Sequence, residues 1–193
     1  CFSGLAPGTS PVDFLSFELR DLENQPIIVS SADGEVVVAD PPAIYLTPAL
    51  EVVNQGDHFT IDVAITGSVV GLTGYNLRLE LDSTIVQFVD ADEGPLPPIG
   101  GETYFFWIME SPDIMMINGA VLGSWVDGPG VLAHVELFGL NVGTTPMDFL
   151  SVELRDIENN PIPVGDEGAV IIVEEGGSPV ENTTWAAIKS HYR

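Results

Sequence analysis

Residues 12–29 read VDFLSFELRDLENQPIIV, and residues 147–164 read MDFLSVELRDIENNPIPV. The two stretches align without a gap at an offset of 135 residues, and the match runs back to Gly4 and Leu5. After a one-residue slip, GEVVVAD at 34–40 also meets GAVIIVE at 168–174. A period this long exceeds any solenoid unit and is that of a whole domain. The 193 residues therefore read as three parts. Residues 1–40 are a partial repeat equivalent to the closing strands of a module, 41–175 are a complete module, and 176–193 are a linker and short tail. Two or three strands alone are rarely stable. The apolar residues Phe14, Leu15, Phe17, Leu19, Ile27, Val36 and Val38 are thus expected to be covered by another surface.

The periodicity between the repeats is that of strands. HFTIDVAIT sets Phe59, Ile61, Val63 and Ile65 against polar or small neighbours, and YNLRLEL sets Tyr75, Leu77, Leu79 and Leu81 against Asn76, Arg78 and Glu80. VLAHVELFG puts Val131, Ala133, Val135 and Leu137 on one face. Alternation of period two marks a half-buried antiparallel strand. Turn signals divide the runs: NQGD at 54–57, DEGP at 92–95, VDGPG at 126–130 and GDEG at 165–168. Many short strands at this spacing predict a sandwich or barrel. One stretch, TTWAAIKSHYR at 183–193, has a helical pattern and predicts a short amphipathic C-terminal helix.

These motifs, in this order, resemble a cohesin, the non-catalytic β-sandwich of bacterial cell-surface scaffolds. The resemblance covers about 44–174. It rests on VNQGDHFTIDVAI, on the L-x-G-x-x-x-x-L-x-[LY]-D pattern that runs from Leu72 to Asp82, on GPGVLAHVELFG, on the LRD strand at 154–156 and on the closing GAVIIVE. It implies an all-β, nine-stranded antiparallel sandwich of jelly-roll topology. It also implies an extracellular or cell-surface location in a prokaryote and binding of dockerin partners through one sheet face. No binding residue carries over from the resemblance.

Charge excludes several functions. Five Lys+Arg face 29 Asp+Glu, a formal net charge of −24. Such a chain has no basic surface for nucleic acid or anionic lipid, and it attracts cations such as Ca²⁺. No stretch approaches the ~20 apolar residues that span a bilayer. The histidines His58, His134 and His191 lie in different segments and form no metal-spaced cluster. Nucleophile-elbow, P-loop and dinucleotide fingerprints are lacking. The reading is of a protein that is not an enzyme and needs no cofactor.

Smaller signals remain. Asp90, Asp92 and Glu93 in DADEG could supply oxygen ligands to Ca²⁺, although a solvated acidic turn is the simpler account. TYFFWIM at 103–109 is apolar on both faces. That pattern predicts a strand buried on both sides, or one covered by a neighbouring chain. Exposed, the same aromatics would suit a polysaccharide. Asn182 opens an N-glycosylation sequon. Thr9 and Ser10, and Thr144 and Thr145, precede proline in a context open to O-glycans. Cys1, the single cysteine, is a candidate for lipidation.

One set of front strands and two sets of closing strands lead to the first functional expectation. It is a homo-oligomeric structural subunit that assembles head to tail, the N-terminal strands of one chain completing the sandwich of the next. The alternatives are a cohesin-type module that captures a dockerin-like protein, and a carbohydrate-binding sandwich.

Overall fold

The computed structural model describes residues 41–176 in full and, ahead of them, the backbone of four strands at 8–12, 19–20, 26–27 and 34–38. The chain divides into two compact units, Cys1–Pro41 and Pro42–Arg193. The expected C-terminal helix at 183–193 lies outside the described residues, as do Cys1, Phe14, Leu15, Phe17 and Asn182.

In the first unit, β1 (Gly8–Val12) pairs antiparallel with β4 (Gly34–Val38), and β2 (Leu19–Arg20) pairs antiparallel with β3 (Pro26–Ile27). Leu19, Ile27, Val36 and Val38 thus fall in strands. Each pair is a two-stranded sheet.

The second unit is a sandwich of two sheets. Its strands are β5 (Ala43–Thr47), β6 (Leu50–Asn54), β7 (His58–Ile65), β8 (Gly74–Leu81) and β9 (Val86–Glu93), then β10 (Thr103–Ser111) and β11 (Ile114–Val121). They are followed by β12 (Gly130–Gly139), β13 (Gly143–Arg155), β14 (Gly165–Glu167) and β15 (Ala169–Glu174). One sheet has the order β10-β11-β8-β13-β15-β6, the other β14-β5-β7-β12-β9. The inward residues of the alternating strands meet between them. Ile61, Val63, Leu77, Leu79, Ile117, Val135 and Leu137 are fully buried there, and this apolar burial is the main source of stability.

Three expectations about the sandwich need correction. The sheets are not wholly antiparallel, since β5 runs parallel to β14 and β6 runs parallel to β15. The strand count exceeds nine, because the first and last strands are each split between the sheets. Pro48 has no amide to donate to a ladder, and the chain leaves one sheet as β5 and enters the other as β6. At the far end Gly168 makes the same transfer. A Cβ there would collide with the Met147 carbonyl and the Asp148 carboxylate. Finally, a β-bulge between Val131 and Ala133 shifts the phase of β12, so Leu132 is fully buried while Val131 is half-buried.

The module's own closing strands fill its sheets. β13 lies between β8 and β15, and β15 lies between β13 and β6. Inside the module there is no empty strand position of the kind that donor-strand complementation requires.

Candidate protein-binding face

The edge strand β10 pairs only with β11, which leaves its outer backbone edge open. Along it, Phe105 and Trp107 turn inward and pack against the core. Tyr104, Phe106 and Ile108 turn outward and are 58%, 36% and 46% exposed. TYFFWIM is therefore not buried on both sides in the described structure. Both faces are apolar because one meets the core and the other remains open. The register places Tyr104 opposite Ala120, Phe106 opposite Asn118 and Ile108 opposite Met116. The Tyr104 and Phe106 rings lie 5.5 Å apart at 55°. Leu150, displaced by a bulge in β13, adds a further exposed apolar side chain.

The middle of the same face is polar. Arg78 Nε lies 2.9 Å from each carboxylate oxygen of Glu110. Asn76 Nδ2 donates to Asn118 Oδ1 at 2.7 Å. Asn118 Nδ2 is itself buried with no partner among the described residues. Arg155 sits near Glu153 at 3.5 Å. Arg78 and Arg155 are the only Lys or Arg within 41–176, and both fall on outward positions of this sheet, in register with Ser151 and Gly74. Aromatic side chains and arginine are the residue types enriched at protein-binding surfaces. The alternation of YNLRLEL already turned Arg78 outward. Its partner Glu110 could not be found in sequence, because it lies at an irregularity in the β10–β11 register.

The outer face of the five-stranded sheet has a different chemistry. His134 Nδ1 lies 2.6 Å from Asp62 Oδ1, and His58 Nδ1 lies 2.7 Å from Glu136 Oε1. Asp92 is registered opposite His134, and Asp90 opposite Glu136.

The Ca²⁺ candidates do not converge. DADEG lies largely in strand β9 rather than in a turn. Alternation exposes Asp90 and Asp92, while Glu93 turns the other way and accepts a 2.8 Å hydrogen bond from the Thr103 hydroxyl. No group of three or more potential ligands forms among the described residues. Elsewhere, Glu80, Asp82, Asp113 and Asp148 line an open cleft of about 380 Å³. The Ser83 hydroxyl and amide donate to Asp113 and hold its carboxyl below the usual carboxylate range.

The O-glycan candidates separate. Thr9 and Thr144 are exposed. Thr145 is 1% exposed, accepts from the Asp82 amide at 3.0 Å and donates to the Pro146 carbonyl at 2.8 Å. A glycan has no room at Thr145, contrary to expectation. Ser10 falls in β1, with its side chain outside what is described. No helix among the described residues is long and apolar enough to cross a membrane.

The sequence matches no protein-family model and no curated protein. Solved structures do match. A non-cellulosomal cohesin from the archaeon Archaeoglobus fulgidus aligns at 17% identity with a TM-score of 0.60, over 80% of this chain and 100% of its own. The sixth cohesin of Acetivibrio cellulolyticus scaffoldin B, solved in complex with a mutant Cel5 dockerin, aligns at 14% identity with a TM-score of 0.60, over 70% of this chain and 100% of its own. A cohesin module from a Clostridium perfringens family 33 glycoside hydrolase aligns at 12% identity with a TM-score of 0.59, over 70% and 99%. The sandwich described above has the cohesin fold.

Proposed function

We propose that the module is a non-catalytic, extracellular protein-binding domain that captures a dockerin-like partner on the outer face of β10, β11, β8 and β13. The observation that carries this reading is the apolar row Tyr104, Phe106 and Ile108, left open beside Arg78 on a complete sandwich. The structural neighbours support the choice of partner, since several were solved bound to dockerins. Fold likeness alone would not choose a function.

Head-to-tail assembly was the first expectation. It draws no support from the module, whose own strands occupy every interior position of both sheets. A polysaccharide would need an aromatic platform. Tyr104 and Phe106 are exposed as that reading requires, but a 55° angle between the rings does not make one flat surface.

The test is calorimetric titration of the full chain with Ca²⁺-loaded dockerin modules encoded in the same genome, with hydrogen exchange to locate the contact. Protection confined to β10, β11, β8 and β13 is expected. Binding to none of them, or protection on the five-stranded sheet instead, would sink the reading. Retention on insoluble polysaccharide without protein partner would favour the carbohydrate alternative.

A further inference from the structure

The N-terminal strands repeat more than a sequence. β1 and β4 pair with Gly8 opposite Val38 and Val12 opposite Gly34. In the module, β13 and β15 pair with Gly143 opposite Val173 and Met147 opposite Ala169. Every pair in the first set maps onto a pair in the second at the same offset of 135. The one-residue slip that the sequences suggested between 34–40 and 168–174 is absent from the strand register. The second pair behaves identically. Leu19 opposite Ile27 and Arg20 opposite Pro26 correspond to the hydrogen bond from the Ile162 amide to the Leu154 carbonyl and to the bridge between Arg155 and Pro161.

This correspondence exposes what the first unit lacks. In the module, β15 has a second neighbour in β6, and residues 147–155 have one in β8. Among the described residues of 1–41 there is no counterpart of either, and β1–β4 and β2–β3 are two-stranded sheets there. The apolar residues are placed accordingly. Val12, Leu19, Val36 and Val38 occupy the register positions of Met147, Leu154, Ile171 and Val173, all of them core residues. Those four pack against the front half of the sandwich in the module. An unpaired strand edge favours a partner, and so do apolar residues at register positions that belong to a core.

We propose that residues 8–38 are the closing half of a second cohesin-like module, and that their partner is a front half equivalent to residues 42–135, supplied by polypeptide N-terminal to Cys1. A second copy of this chain is a poor source. Its β8 already has β11 and β13 as neighbours, and its β15 has β13 and β6. The protein then holds two cohesin-like modules offset by 135 residues.

The decisive measurement extends the full chain by placing residues 42–135 directly ahead of Cys1, since Cys1 corresponds to Glu136 at the common offset. Hydrogen exchange at the amides of Val36, Val37 and Val38 is expected to slow by about 100-fold or more relative to the unextended chain, towards the rate at 171–173. A second cooperative transition should appear in calorimetry. An added segment that stays unprotected while 42–176 remains folded would overturn the proposal. So would equally slow exchange in the unextended chain, where sedimentation would then separate an internal cover from a second copy. A second variant replaces 143–173 with the sequence of 8–38, which has the same length. Cooperative melting of that chimera supports the proposal, and an unfolded module refutes it. A lipid on Cys1, read by mass spectrometry, would also refute it, because no polypeptide precedes a lipidated terminus.

Discussion

The two outer faces of the sandwich are built from the same alternating strands and carry opposite chemistry. The six-stranded face exposes Tyr104, Phe106, Ile108 and Leu150 and holds both arginines of the module. The five-stranded face holds both of the module's histidines, paired with Asp62 and Glu136, and carries Asp90 and Asp92 beside them. A solvated face needs only charge, and ion pairs in water contribute little. Exposed aromatic rows have a continuing hydration cost, and their presence marks a surface that meets something. The proposed assignment of partner binding to the six-stranded face rests on this contrast.

The comparison breaks most readily at Phe106. Phe106→Ala should weaken dockerin capture by ~30-fold or more, the usual loss at an aromatic hot spot, with little change in melting temperature. Equal loss from an Asp92→Ala change would reverse the assignment of the faces. Next in size is Gly119→Ala, on the inner side of the six-stranded sheet. A Cβ there would run into the ring of Tyr75. Tyr75 is buried and donates its hydroxyl to the Leu132 carbonyl of the opposite sheet at 3.1 Å. Its burial, with the charge of Glu93 adding to it, raises the phenol pKa well above the ordinary value. Overpacking at this contact should cost about 1–3 kcal/mol in urea unfolding.

Smaller still is Asp62→Asn on the five-stranded face. Asp62 and His134 are both partly exposed, so less than about 0.5 kcal/mol should be lost, and dockerin affinity should not move. The smallest effect is one of pH. Hydrogen bonds from Ser83 favour the charged form of Asp113, so its folded-state pKa lies below that of the unfolded chain. Its contribution is present above the unfolded value of about 3.9 and is lost as pH falls through the folded value. Urea midpoints of Asp113→Asn should therefore fall less steeply below about pH 4 than those of the parent.

Much of the sandwich was legible because period-two alternation needs only local information. HFTIDVAI, YNLRLEL and VLAHVELFG all became strands, with Ile61, Leu77 and Val135 inward. Pairing partners were less accessible. Nothing local distinguishes a strand that will meet a parallel neighbour more than a hundred residues away, as Leu50 meets Val170. The phase error at Val131 came from a bulge, which inserts a residue without any change in composition. The candidate binding face was half-visible. TYFFWIM declared two apolar faces, but which of them stays open depends on β10 falling at a sheet edge, a property of the assembled order rather than of the strand. Thr145 misled for a similar reason, since a hydroxyl before proline looks accessible until Asp82 is brought against it by β8.

The two parallel pairings have a mechanical consequence. β6 enters the six-stranded sheet near the start of the module and lies parallel to β15, which ends it. β5 and β14 repeat the arrangement in the other sheet. Tension applied to the two ends of the module pulls these neighbours in opposite directions along their length. Their hydrogen bonds are then loaded together in shear instead of being peeled apart one after another. A sandwich closed in this way resists being drawn out by its ends.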